Sequence, residues 1–482
     1  MISIIFCILA LALAVYAIVK WQHGHKSDPD FLSQFFPDKS WSLGDDGESN
    51  TEVINFKINI SNAKLDDLRS RLDLTKYPVA SFSTSKFNYG IRDDYIRKLT
   101  EYWKNEYSWK KQEQMMNKYS HYKTMIEGLN IHFIHCRPKK VQEEKKVILL
   151  IHGWPGSFVE YLETLDRFTT PTSNGGNETD AFTVVCPSIP GFGFSDPPQK
   201  EGFNGFECAR VFHKLMLRLG YVNYYVAGGD WGSLISRCMS LMYPSCVNGC
   251  YTTMLTGSTG GIEMLYLVIS AYIPTFFYNK MESKVLFPLK ALLTNSLLET
   301  GYFHLQATKP DTVGFALSDS PVGMAAYIIE KFSTWTDLNG RQADDGLLQN
   351  NWTFDQLLNN VMIYWWSENI TSSLRFYKEN SGNRKLQPGF RLKVHVPAGY
   401  GWYPNEFIPT CKRWVENNFS NLIHFTYMKK GGHFNAFEVP DMFVEDVRVF
   451  VRKVEALRSE QLSSNLYKTK PVKLSHLDRY KT

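Results

Sequence analysis

Tyr224-Tyr225-Val226-Ala227-Gly228-Gly229-Asp230-Trp231-Gly232 decides how this chain is read. Four apolar or aromatic residues run unbroken into a glycine pair, an aspartate and a third glycine. A short continuous run of this kind predicts a strand buried on both faces. Gly228 and Gly232 leave room for a tight strand-to-helix turn, which crowds the backbone on either side of Asp230. Gly228-x-Asp230-x-Gly232 therefore has the spacing of a nucleophile elbow, with aspartate where serine usually stands. Taken alone, the same residues also read as a helix N-cap, for which aspartate is a preferred type. The surrounding pattern has to decide.

Upstream, Val147-Ile148-Leu149-Leu150-Ile151 is a second apolar run and ends in His152-Gly153-Trp154-Pro155-Gly156. Phe182 to Pro187 is a third, ending in Pro190-Gly191-Phe192-Gly193-Phe194-Ser195. Between it and the elbow, residues 205–219 carry Phe212, Leu215, Met216 and Leu219 at helical spacing. Strands alternating with helices, with glycines at the strand ends, predict a doubly wound, mostly parallel α/β sheet. Residues 258–388 lose this pattern and become aromatic and helical. The uncharged stretch Met264–Asn279 is broken by Pro274, which predicts a buried or cavity-lining helix rather than a membrane span. Strand patterns resume at Leu392–Pro397 and Ile423–Met428. Residues 146–257 and 389–458 thus read as two parts of one core, and 258–388 as an inserted helical lid. Residues 49–145, with helices expected at 62–72 (capped by Asn62) and 92–118, read as a structural N-terminal region. The tail, 459–482, is basic and solvated.

The 482 residues carry a net charge of +5, with 44% hydrophobic, 15% aromatic and 21% charged residues. That is globular composition, and without a basic stripe it argues against a nucleic-acid partner. The eight cysteines form no C-x-x-C pair and have no histidine partner at zinc spacing, so they read as reduced core residues. Met1 to Val19 contains no charge and precedes Lys20-Trp21-Gln22-His23. At ~1.5 Å per residue this stretch spans about 28 Å, close to a hydrocarbon core. The positive charge follows the stretch rather than preceding it, which predicts an uncleaved transmembrane anchor over residues 1–20, a linker over 21–48 and a cytosolic catalytic domain. Sequons at Asn59, Asn177, Asn351, Asn369 and Asn418 should then stay bare.

Two further loops complete a chemistry around Asp230. His152-Gly153-Trp154-Pro155 follows an earlier strand, where an oxyanion loop belongs. The backbone N–H groups of Trp154 and Trp231 can share an oxyanion, although the motif alone would be only a turn. Gly431-Gly432-His433-Phe434 puts a histidine on a glycine-rich loop after a late strand, in the chain order a base requires; alone, it would read as a surface residue. Between the last two expected strands the carboxylates are Glu406 and Glu416. Glu416 lies in a helical, exposed segment, which favours Glu406 as the partner of His433. A carboxylate nucleophile displaces a leaving group at an sp³ carbon and forms an alkyl ester on the protein, which a histidine-activated water then hydrolyses. Alkyl halides and epoxides both fit this chemistry. They differ in that the epoxide oxygen needs a proton, which a phenol can supply.

Together HGWPGSF, CPSIPGFGFS, GGDWGS and GGHFNAFE resemble the microsomal epoxide hydrolase family, including the juvenile-hormone epoxide hydrolases, on an α/β-hydrolase fold. The resemblance runs from the N-terminal stretch to about residue 455 and includes Gly301-Tyr302-Phe303-His304 and Ser333-Thr334-Trp335-Thr336. It implies Asp230 as nucleophile, His433 as base, Glu406 as its acidic partner, and Tyr302 and Tyr377 as the lid tyrosines that hold and protonate the epoxide oxygen. Among 26 tyrosines, composition alone would select neither. Phe192 stands where relatives often have tyrosine, a departure away from the chemistry. The implied activity opens lipophilic epoxides to vicinal diols with no cofactor and no metal, at the endoplasmic reticulum membrane. The same residues serve foreign epoxides and terpenoid hormone epoxides, and they carry no signal of oligomeric state. Haloalkane dehalogenase chemistry and a non-catalytic lipid-binding protein are the competing readings; serine hydrolysis lacks its G-x-S-x-G.

Overall fold

Nine strands form one sheet: β1 (Ile54–Phe56), β2 (His121–Ile126), β3 (Leu129–Cys136), β4 (Val147–Ile151), β5 (Thr183–Pro187), β6 (Tyr224–Gly228), β7 (Val247–Thr252), β8 (Ala398–Trp402) and β9 (Leu422–Tyr427). The computed structural model describes residues 30–44, 51–138, 146–257, 261–381 and 383–466. The expected anchor and the end of the basic tail lie outside these residues. Among the described residues no single helix is long and apolar enough to cross a membrane.

The strand order is β1-β2-β3-β5-β4-β6-β7-β8-β9. From β5 to β9 every pairing is parallel. Each residue of β4, β5, β6 and β8 is buried. Helices therefore cover both faces, which is why these strands read as unbroken apolar runs instead of alternating ones. The N-terminal region contributes more than packing. Its β1, β2 and β3 extend the sheet antiparallel, and β3 pairs directly with β5.

Three local expectations need correction. The first helix spans Asn62–Asp73, but its cap is Ser61, whose side chain accepts the Lys64 N–H, and not Asn62. The helix expected over 92–118 is two, Asp93–Asn105 and Trp109–Met116. The break carries Tyr107, whose hydroxyl donates to Asn359 of the insertion at 2.8 Å. Leu392–Pro397 is not a strand of the sheet and makes only an isolated bridge, Val394 to Phe419. The strand is the glycine-containing Ala398–Trp402. Its Gly399 lies so close to Phe450 that a Cβ there would meet the ring at 2.7 Å. Glycine lowers strand propensity, but here the packing requires it.

Residues between β7 and β8 form a helical insertion, from Gly261–Ser270 to Ile370–Ser381. The stretch Met264–Asn279 is not the single buried or cavity-lining helix expected. It is interrupted at 271–273, between the helices Gly261–Ser270 and Pro274–Phe277, and it leaves Val268, Ile269, Tyr272, Ile273 and Phe276 exposed. All seven described cysteines are free.

Candidate active site

Asp230 opens the helix Asp230–Met242 directly after β6, with φ at +47°. This is the left-handed region, which aspartate tolerates better than most residues with a side chain. The turn is tight enough that a Cβ on Gly232 would lie 1.8 Å from the Ile151 carbonyl oxygen. A Cβ on Gly153 would lie 2.3 Å from Asp230 Cβ. The elbow and the loop after β4 are thus pressed together, and glycine at both positions is a steric requirement. The contact delivers the Trp154 N–H to Asp230 Oδ1 at 2.8 Å. Trp231 N–H belongs to the first turn of the helix, where such groups have no intrahelical acceptor.

The loop from His152 to Ser157 is clamped from the insertion. Asn360 Nδ2 donates to Pro155 O at 2.6 Å, Tyr364 OH donates to Gly156 O at 2.6 Å, and Ser157 Oγ donates to Asn360 Oδ1 at 2.8 Å. Asn360 and Tyr364 sit one turn apart on the helix Phe354–Ser367.

His433 comes to the same point from the other core part. Its Nε2 is 3.5 Å from Asp230 Oδ2, and its Nδ1 is 3.0 Å from both oxygens of Glu406. The distant candidate Glu416 instead pairs with Lys412 on the surface. Burial alone would lower the His433 pKa. The Glu406 charge and the Asp230 hydrogen bond outweigh it and raise the value to about 10. Glu438 braces the histidine's backbone: its two oxygens accept Gly432 N–H at 2.8 Å and Phe434 N–H at 2.9 Å. Burial pushes this carboxyl up to about 8. Trp335 O accepts the His433 N–H at 3.0 Å, and the imidazole meets edge-on both rings of the stacked pair Trp335 and Phe407. Half-buried Glu160 faces the same centre, and burial pushes its carboxyl to about 8 as well.

The two tyrosines lie above Asp230 on separate helices of the insertion, Gly301–Thr308 and Ile370–Ser381. Their ring centroids are 5.7 Å apart at 82°. Tyr302 stacks on Trp154 at 5.2 Å, and Tyr377 meets Trp231 edge-on at 4.6 Å. The indoles of Trp154, after Gly153, and Trp231, after the nucleophile, thus hold the two phenols. Burial first, reinforced by the Asp230 charge, keeps both hydroxyls well above the usual tyrosine range. They remain neutral donors at any ordinary pH. A cavity of about 530 Å³ is lined by Asp230, Trp231, Leu255, Tyr302, Phe303 and Tyr377.

All seven residues singled out from the sequence therefore meet in one place. Asn360, Tyr364, Trp335, Phe407, Glu438 and Glu160 were not anticipated. Two left a trace without a role, Glu438 as the last residue of GGHFNAFE and Trp335 within Ser333-Thr334-Trp335-Thr336; the others are set by packing.

Residues 53–161 match the epoxide hydrolase N terminus family model, and residues 146–401 match the alpha/beta hydrolase fold model. The chain is 42% identical over 403 residues to epoxide hydrolase 1 of Sus scrofa, covering 83% of this chain and 88% of that protein. It is 38% identical over 431 residues to juvenile hormone epoxide hydrolase 1 of Ctenocephalides felis, covering 89% and 91%. The crystal structure of juvenile hormone epoxide hydrolase from the silkworm Bombyx mori superposes with a TM-score of 0.82 at 33% identity, covering 87% of this chain and 99% of that one. The Aspergillus niger epoxide hydrolase structure gives 0.70 at 26% identity, over 87% and 99%. On the sheet, the elbow and these relatives together, the chain belongs to the epoxide hydrolase family and is an enzyme that hydrolyses epoxides.

Proposed function

We propose that this enzyme converts lipophilic epoxides to vicinal diols through an ester formed on Asp230. The observation that carries the reading is the division of labour between the two Asp230 oxygens. Oδ1 is already held by the Trp154 N–H. Oδ2, near His433, has no backbone donor in the way and is the attacking atom. Its lone pair forms the C–O bond as the epoxide C–O bond breaks, and Tyr302 and Tyr377 hydrogen-bond the departing oxygen, one of them giving it a proton. The charge on Asp230 vanishes with esterification. His433 loses one of the two anions that kept it protonated and returns its proton to the tyrosinate. Now neutral, it deprotonates a water, which adds to the ester carbonyl while Oδ1 rests on the Trp154 and Trp231 N–H groups. The tetrahedral carbon then breaks its bond to Oδ2, which leaves as the second diol oxygen and takes the proton held by His433; the new carboxyl passes its own proton to the imidazole, and Asp230 carboxylate, imidazolium and Glu406 carboxylate are restored. Net site charge is the same at every stage, so charge is moved between neighbouring groups and no net charge is added to the buried site.

The helical insertion acts as the lid that brings the tyrosines over the carboxylate and keeps bulk water out. The apolar cavity suits lipophilic epoxides, whether of foreign compounds or of terpenoid hormones, and the relatives named for juvenile hormone support the second class. An anchor over residues 1–20, with the catalytic domain on the cytosolic side of the endoplasmic reticulum, would meet such substrates where they partition.

A single turnover in ¹⁸O-water, with enzyme in excess over styrene oxide, tests the ester. Unlabelled diol with label in the Asp230 peptide is expected. Labelled diol in that first turnover would mean direct attack by water, and the assignment of Asp230 would be wrong.

A further inference from the structure

The exposed large apolar side chains concentrate in one segment of the insertion. Tyr272 is 90% exposed, Phe276 79%, Leu297 77%, Leu293 69% and Leu298 61%. They lie on, or for Tyr272 in the turn between, helices that pack on one another in chain order, from Gly261–Ser270 through Pro274–Phe277 and Lys280–Leu286 to Leu289–Glu299. The inner side of this segment is satisfied: Leu267, Tyr278 and Leu286 are buried against Cys411 and Trp414. The outer side is not, and a soluble monomer rarely leaves so much apolar surface in one place.

The charges sort by the same rule. Residues 261–300 contain three carboxylates, three lysines and no other charge. Every carboxylate is turned inward. Glu263 pairs with Arg413 at 2.7 Å, Glu282 accepts the Lys412 N–H at 2.7 Å and the Tyr427 hydroxyl at 2.9 Å, and Glu299 takes Arg341 Nε at 2.8 Å. Lys280, Lys284 and Lys290 all face outward, and none forms an ion pair among the described residues. An outer face with bulky apolar and aromatic residues, lysines and no exposed anion has the chemistry of a surface that sits in the headgroup layer of an anionic membrane. Phe303 and Ile408, which line the cavity above Asp230, are themselves partly exposed, and Phe303 lies on the helix Gly301–Thr308, which packs on Leu289–Glu299 of this face.

We propose that the outer face of residues 264–300 docks on an anionic lipid surface, a contact separate from the apolar N-terminal stretch, and that it turns the cavity mouth toward the bilayer. The docking itself does not depend on the reaction. Only its consequence for substrate delivery rests on the epoxide reading, so the test reads the contact directly. The full chain is reconstituted in vesicles of phosphatidylcholine alone or with one third phosphatidylserine, and backbone hydrogen exchange is followed by mass spectrometry. Peptides across 264–300 are expected to exchange several-fold more slowly with phosphatidylserine, each lysine strengthening the contact roughly five-fold. K280E/K284E/K290E should lose the protection, and L293S/L297S/L298S should lose it in both lipids. Both variants should keep wild-type exchange elsewhere and wild-type turnover of a water-soluble epoxide, which reports that they fold. Equal exchange in the two lipids overturns the proposal. So does protection that grows with protein density regardless of lipid charge, which would mean a second copy covers the face. Protection that survives charge reversal but disappears when residues 1–19 are deleted would assign the face to the chain's own N-terminal stretch and equally overturn it.

Discussion

Glu406→Gln separates the two chemical steps. The Glu406 carboxylate and His433 imidazolium are 3.0 Å apart with side chains 6% and 2% exposed, so solvent screens them little. With charge centres roughly 4 Å apart in an effective dielectric of about 20, the attraction is about 4 kcal/mol, or about three pKa units. Removing it should bring His433 from about 10 down to about 7. Glutamine also offers one acceptor oxygen where the carboxylate offers two, so the ring loses its fixed orientation. Alkylation of Asp230 depends on Asp230, the tyrosines and a protonated His433, which Glu406→Gln still leaves protonated at pH 6, so there it should slow less than about tenfold. Hydrolysis of the ester depends on an oriented base and should slow by about 10² or more. Rapid quench with mass spectrometry of the Asp230 peptide should show the ester accumulating to near one equivalent. The alkaline limb of kcat/KM, expected near pH 10 in the wild type, should move to near neutrality. Equal slowing of both steps with no trapped ester, or an unmoved alkaline limb, would refute the role given to Glu406.

Tyr302→Phe and Tyr377→Phe each remove one donor from the departing oxygen and should slow alkylation by about 10²-fold, with the double variant falling to background; pre-steady-state ester formation is the measure, and an unaffected double variant would remove the tyrosines from the chemistry. Glu160 has its folded pKa raised to about 8 by burial, so its contribution to stability is present below its unfolded value and lost as pH rises through about 8; Glu160→Gln should flatten the decline of Tm over that window, and an unchanged profile would contradict the raised value. Gly232→Ala should destabilise by about 3 kcal/mol in urea unfolding, since the new Cβ meets backbone at Ile151 and not a yielding side chain. Of the five sequons, Asn369 and Asn418 are buried while Asn59, Asn177 and Asn351 are exposed; in cells all three exposed ones should resist endoglycosidase shift, and a glycan on any of them would reverse the orientation drawn from the lysine after the N-terminal stretch.

The amino-acid order by itself determined the middle of the sheet and the ends of its strands. A strand buried on both faces has to be apolar at every position, so β4, β5 and β6 announced themselves, and the glycines around Asp230 marked a turn no Cβ could enter. His433 and Glu406 followed from chain order once that turn was placed. Tertiary structure alone decided the rest. Whether β1 to β3 join the sheet depends on which edge remains open after β5 is placed, and no local pattern records that. β8 was misplaced because Gly399 answers to Phe450, about fifty residues away, and Gly401 to Tyr251 on the neighbouring strand, and not to strand propensity. Tyr302 and Tyr377 became distinguishable from other tyrosines only through family resemblance, because what singles them out is stacking on Trp154 and Trp231 across the fold. Trp335 holds the base through its backbone carbonyl, which leaves no signature in residue type, and Glu438 through a carboxylate whose target, the backbone around His433, no local pattern records. Local order encodes burial and turn geometry; a site is a set of distances between residues far apart in the chain, and those exist only once the core has packed.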